Sequence, residues 1–219
     1  MSTWHDVDRY INRELVKQDA ALAGVLQANE SADLPMIDVS PAHGKFLMLL
    51  AQICRARRVL EIGTLGGYSS IWLAKGLQPG GRVISLEAMP KHAEVARANI
   101  RRAGFADRIE VRLAPAVETL AMMVNEGAER FDMVFIDADK ANNAKYVEWA
   151  LMLTRSGSII VIDNVVRGGA VLSEDGGDPS VVGTRAAIEL ISSDPRLDGT
   201  AIQTVGIKGW DGFAIARVV

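Results

Sequence analysis

From Val59 onward the chain repeats one unit: a short apolar run, a turn marked by glycine or proline, and a stretch with helical spacing. The runs at 59–62, 82–87, 109–113, 131–137 and 158–163 have the length and composition of buried strands. Between them, 68–77, the segment from Pro90 to the Gly104 stop, 117–126 and 143–153 read as helices. Near-continuous apolar strands joined by helices make a parallel sheet covered on both faces, because a parallel crossover needs about a dozen or more residues. A further helix starts at Asp178-Pro179 and runs to about Ser193. The last two runs, 201–206 and 212–219, are joined only by IKGWD, so they pair as an antiparallel hairpin. The expected class is α/β, with a doubly wound, mostly parallel sheet.

The first 35 residues read as helical, with Val7, Tyr10, Ile11 and Leu15 on one face, and look like an appendage ended by Leu34-Pro35. Ser40 followed by Pro41 is a helix start, and that helix runs to about Ala56. A length of 219 residues suits one domain, 1–219, with no repeat. The net charge of -3 argues against a general nucleic-acid surface. Cys54 is the only cysteine, which excludes a disulfide framework within the chain; a buried helix position is expected for it. No apolar run reaches the roughly 18 residues that span a bilayer, and the start of the chain lacks the apolar core of a signal peptide. A soluble cytoplasmic protein is expected.

Two strand ends carry the chemistry. Asp137 closes FDMVFID, and Asp163 with Asn164 closes the run ending VIDN. Strand C-termini face the ligand crevice in such sheets, and three oxygen donors meeting there suit a hard divalent cation. Lys140 follows Asp137 closely enough to work beside that cation as a base, since a second positive charge is disfavoured there. Asp139 is read as an outer support or a helix cap. Upstream, Gly63, Gly66 and Gly67 lie between a strand and a helix, but without the dinucleotide spacing. Glu61 beside that turn would repel a pyrophosphate and attract a cationic ligand such as S-adenosylmethionine (SAM). Glu87, ending the second strand, is placed to accept ribose hydroxyls. Ser69 and Ser70 can cap the following helix or bond a cofactor carboxylate. His5, His43 and His92 have no partner at metal-ligand spacing. Trp72 and Trp149 read as core, and Trp210 either walls a pocket or packs on a sheet edge.

With LEIGTLGGYS, FIDADK, IDN and the terminal GWDGFAIAR, the chain resembles the cation-dependent class I SAM O-methyltransferases, from about residue 34 onward. That family includes catechol and caffeoyl-CoA O-methyltransferases, and the bacterial small-molecule members are most similar. The resemblance implies a seven-stranded sheet with the last strand antiparallel. It implies Mg²⁺, Ca²⁺ or Mn²⁺ on Asp137, Asp163 and Asn164, with Lys140 as general base. It implies SAM contacts from Glu61, Gly63, Ser69, Glu87 and Asp137. Ile37 and Val39 would cover the methionine end, and Ala116 the adenine. A catechol-like substrate and a homodimer are implied as well. The chain departs from the family at Ala114 and Asn143, and at Arg167, where plant members carry tryptophan; Arg167 suggests an anionic substrate. The rival readings are a tRNA wobble hydroxyuridine O-methyltransferase, an NAD-dependent oxidoreductase and a non-catalytic binding module.

Overall fold

The computed structural model describes residues 3–173 and 177–219. Seven strands form one sheet: β1 (Arg58–Ile62), β2 (Arg82–Glu87), β3 (Ile109–Leu113), β4 (Phe131–Ile136), β5 (Thr154–Asp163), β6 (Leu197–Gly206) and β7 (Gly209–Val218). Their order is β3-β2-β1-β4-β5-β7-β6. Strands β1 to β5 pair in parallel, and β7 runs antiparallel to both β5 and β6. The expected doubly wound, mostly parallel sheet is present, with β7 as its single reversed strand.

The helices are α1 (Thr3–Ile11), α2 (Ala20–Ser31), α3 (Pro41–Ile53), α4 (Tyr68–Gly76), α5 (Pro90–Arg102), α6 (Ala116–Asn125), α7 (Asn143–Leu153) and α8 (Pro179–Ser193). They cover both faces of the sheet. Leu47, Ile71, Trp72 and Ala96, with α2 residues Leu22 and Val25, bury one face over Val59, Val83, Met133 and Phe135. Leu120, Tyr146, Val147 and Ala187 bury the other over Leu60, Leu86, Val134 and Ile162. Alternate residues of each strand serve opposite layers, as a period of two requires. Ser40 caps α3 by accepting from the His43 N–H at 3.2 Å, with Pro41 at the first helical position.

Some expectations need correction. The hairpin turn is Ile207-Lys208, because β6 begins earlier and β7 already includes Gly209, Trp210 and Asp211. Gly209 takes φ +92°, so it serves the turn from inside the strand. The apolar face of the first helical segment is largely exposed: Val7 and Tyr10 on α1 and Leu15 in the π-helical turn after it (Asn12–Val16) face outward, and α1 has no buried residue. Cys54 is only half-buried, at the C-cap of α3. Trp149 is partly buried, unlike Trp72. In the glycine-rich stretch 165–178, Arg167–Leu172 form a 3-10 turn kinked at Gly168 and Gly169, and residues 174–176 lie outside the described residues.

Candidate active site

Strand order reverses between β1 and β4, so the ends of these neighbours open a crevice. Gly63 ends β1 with φ +101°, and a Cβ there would sit 2.2 Å from the Asp137 carbonyl oxygen. That close approach, as much as any ligand, requires glycine. The turn continues through Leu65 (φ +49°) to Gly67 (φ +83°), the N-cap of α4. Glu87 ties this turn to β2: one carboxylate oxygen accepts from the Leu65 N–H at 2.8 Å and the Thr64 N–H at 3.3 Å, the other from the Met89 N–H at 2.9 Å. His92 Nδ1 lies 3.5 Å from Glu87 Oε1, a placement not expected from sequence.

Glu61 is fully buried beneath the turn. It accepts from the hydroxyls of Ser69 (2.5 Å), Ser70 and Ser85 (2.5 Å). Burial, and secondarily the charge of Asp137, pushes its carboxyl up to about 7, and the three serine hydrogen bonds oppose that rise. Both Glu61 oxygens are thus engaged by serine hydroxyls, and none of its surface is exposed.

At the end of β4, Lys140 Nζ donates to Asp137 Oδ1 at 2.7 Å. Lys140 lies in a 3-10 turn (Lys140–Asn142) and is buried. Asp163, at the end of β5, is buried too; burial first, then the nearby charge of Asp137, pushes its carboxyl up, while Lys140 opposes. Asn164 follows in the left-handed region at φ +58°, and its N–H donates to Asp163 Oδ1 at 2.8 Å. His43 Nδ1 lies 3.6 Å from Asp163 Oδ2. Burial holds its imidazole below the usual histidine range, against the pull of Asp137. Asp139 is exposed and accepts from Tyr146 Oη at 2.5 Å and from Asn142, so it braces the start of α7.

A cavity of about 520 Å³ opens beside Asp163 and Asn164. Ile37, Val39, His43, Phe46 and Phe213 line it, and the β6–β7 hairpin closes its far side. The His43, Phe46 and Phe213 rings stand 4.9–6.2 Å apart and form an aromatic wall. Of the residues expected at the site, the structure joins Ile37, Val39, Asp163 and Asn164 on this cavity, and Asp137 with Lys140 by an ion pair. Gly63, Glu61, Ser69 and Glu87 form the adjoining turn. Ala116 opens α6, partly buried against the second core. Arg167 is not among the cavity's lining residues, so the geometry gives no support to its expected role toward an anionic substrate. Trp210 packs on Gly169 and donates to Gln203 Oε1 at 3.0 Å, half exposed.

Sequence reading missed three supports. Asp211 Oδ1 accepts from the N–H groups of Val166 (3.0 Å), Arg167 (2.9 Å) and Gly212 (2.9 Å), holding the turn that follows Asn164. Gly183 on α8 lets that helix reach Lys140, whose carbonyl oxygen would be 2.2 Å from a Cβ there. Asn29 lies against Gly66. Each rests on contacts between residues far apart in sequence, which no local pattern marks. Among the described residues, no three His, Cys, Asp or Glu side chains form a metal cage; the candidate donors are two carboxylates and one amide.

A family model described as O-methyltransferase matches residues 13–218. A catechol O-methyltransferase of Mycobacterium tuberculosis is 55% identical over 213 residues, 97% of this chain and 95% of the relative. An O-methyltransferase from Bacillus cereus, solved in complex with SAH, superposes with a TM-score of 0.97 at 55% identity, covering 99% of each chain. The O-methyltransferase TomG from Streptomyces achromogenes, solved in complex with SAM, superposes at 0.96 with 44% identity over 100% of both chains.

Proposed function

The chain belongs to the O-methyltransferase family, and we propose that it moves a methyl group from SAM to one hydroxyl of a vicinal dihydroxy aromatic, with the help of a divalent cation. The observation that carries this reading is the convergence of Asp137, Lys140, Asp163 and Asn164 at the open end of the sheet, beside a cavity with an aromatic wall. The catechol O-methyltransferase name of the Mycobacterium tuberculosis relative supports the substrate class. The SAM and SAH complexes of the two solved relatives support the methyl donor.

The donor set fits a cation. Asp163 and Asp137 are close enough to disfavour each other's charge, and Lys140 opposes that only in part. A divalent cation favours both carboxylates in their charged form, and carboxylate and amide oxygens suit Mg²⁺ or Ca²⁺. Asp137, Asp163 and Asn164 would hold it. When bound, the cation would acidify a substrate hydroxyl by its charge, and the cofactor would supply a methyl group on a positive sulfur. Lys140 takes the proton from that hydroxyl. His43, Phe46 and Phe213 orient the substrate ring, while Glu87 and the Ser69–Glu61 pair brace the cofactor side. The gain comes from positioning and from charges set in advance of the reaction. We also read the chain as a homodimer, supported by the exposed Trp4, Val7 and Tyr10 of α1 and Ile202 and Val205 of β6.

The test is methyl transfer from SAM to caffeic acid with Mg²⁺, then with excess EDTA. Transfer that EDTA abolishes is the expected result. Transfer that persists in EDTA overturns the metal, and no transfer by protein that binds SAH overturns the simple catechol and directs the search to hydroxylated tRNA.

A further inference from the structure

Two asparagines are buried where no proposed step uses them: Asn29 on α2 is 3% exposed and Asn99 on α5 is 1% exposed. Buried amides occur where each polar atom has a partner, and these partners lead toward the cofactor side. Asn99 Nδ2 donates to Asn29 Oδ1 at 2.9 Å and to the Gly66 carbonyl at 2.8 Å. Asn29 Nδ2 donates to Asp38 Oδ1 at 2.9 Å. The Arg102 guanidinium donates to Asn99 Oδ1. One chain of hydrogen bonds therefore runs from α5 through α2 to the 37–39 segment on the cavity, and Asn99 joins the glycine turn to it as a branch.

Gly66 sharpens the case. Its φ is not in the left-handed region, yet a Cβ there would stand 1.9 Å from Asn29 Oδ1 and 2.2 Å from Asn29 Cγ. The middle glycine of the turn is thus required by the Asn29 amide lying flat against it, not by backbone conformation. Glu87 holds the same turn from the β2 side through Thr64 and Leu65. Glu87 and Asn29 thus hold the turn at neighbouring points, residues 64–65 and residue 66.

Resting on the function proposed above, we propose that Asn29 is a positioning residue for the cofactor: it locks the 37–39 segment to the glycine turn, so that α2 forms part of the cofactor site. Removing one buried hydrogen bond to a carboxylate costs about tenfold in an equilibrium constant. SAH affinity by calorimetry, Michaelis constants for SAM and caffeic acid, kcat and melting temperature are to be measured for wild type, Asn29→Ala, Asp38→Ala and the double variant. Asn29→Ala is expected to weaken SAH binding and raise the Michaelis constant for SAM about tenfold, with that for caffeic acid within about twofold. Because Asn29 and Asp38 act through one bond, the double variant should bind SAH about as weakly as either single one. A lowered melting temperature with unchanged SAH affinity, or two fully additive losses, overturns the proposal. Should Asn29→Ala fail to fold, Asp38→Ala carries the same affinity test. Wild-type protein that fails to bind SAH sinks the proposed function first, and this inference with it.

Discussion

Asp163 and Lys140 illustrate how one residue's neighbours set its chemistry. The carboxyl of Asp163 is pushed up because burial and Asp137 both oppose its charge. Lys140 Nζ donates to Asp137 Oδ1 at 2.7 Å, so one carboxylate serves both the lysine and the proposed cation. Asp137→Ala is expected to abolish cation-dependent turnover, and near-normal activity in that variant would reject the metal assignment. Lys140→Ala should lower kcat far more than it raises the Michaelis constant for the aromatic, since a proton acceptor acts chiefly in the transition state; a reverse pattern would make Lys140 a binding residue. Glu61 carries a pH prediction. Its carboxyl rises from 4.5 to about 7 on folding, mainly through burial. The folded state then keeps a proton that the unfolded chain has released, so its contribution is full below about 4.5 and is lost as the pH rises through about 7. Glu61→Gln should lessen the fall in urea midpoint across that window, and an unchanged slope would show that Glu61 does not titrate there.

At the scale of elements, the site depends on how closely helices reach the sheet ends. Gly183 of α8 touches the backbone of Lys140, and Gly63 of the β1–α4 turn touches that of Asp137. An alanine inside a helix usually stabilises it by about 1 kcal/mol over glycine, but overpacking against backbone costs about 1–3 kcal/mol. Gly183→Ala is therefore expected to lower both the melting temperature and kcat, as α8 pushes on the turn that carries Lys140. A higher melting temperature with unchanged kcat would show that the contact relaxes freely. Element boundaries were legible where a residue type acts alone. Ser40-Pro41, Asp178-Pro179 and the strand-ending carboxylates all stand where local chemistry placed them. The structure shortens the expected hairpin turn: Gly209 and Asp211 are turn-forming residue types, yet cross-strand pairing of Trp210 with Val205 and of Asp211 with Thr204 draws the segment into β7.

For the whole molecule, one group of exposed apolar side chains, Trp4, Val7 and Tyr10 of α1 with Ile202, Val205, Ile207 and Trp210, lies on α1 and the β6–β7 hairpin, which meet where Asp8 accepts from the Ile207 N–H at 2.6 Å. Sedimentation should give the mass of two chains, and a single-chain mass at assay concentration would leave that surface to another role. By itself the sequence determined the alternation of strands and helices, the sheet class, and the carboxylates at the ends of the fourth and fifth strands. These rest on periodicity and on the direction of parallel strands, which are local or topological properties. Only the tertiary structure decided that Glu61 lies buried beneath the turn, that Asn29 of α2 lies against Gly66, and that Asp211 and Gly183 pack beside Arg167 and Lys140. Each of those depends on contacts between residues far apart in the chain, and burial that alters a carboxyl arises only once the layers have closed over it.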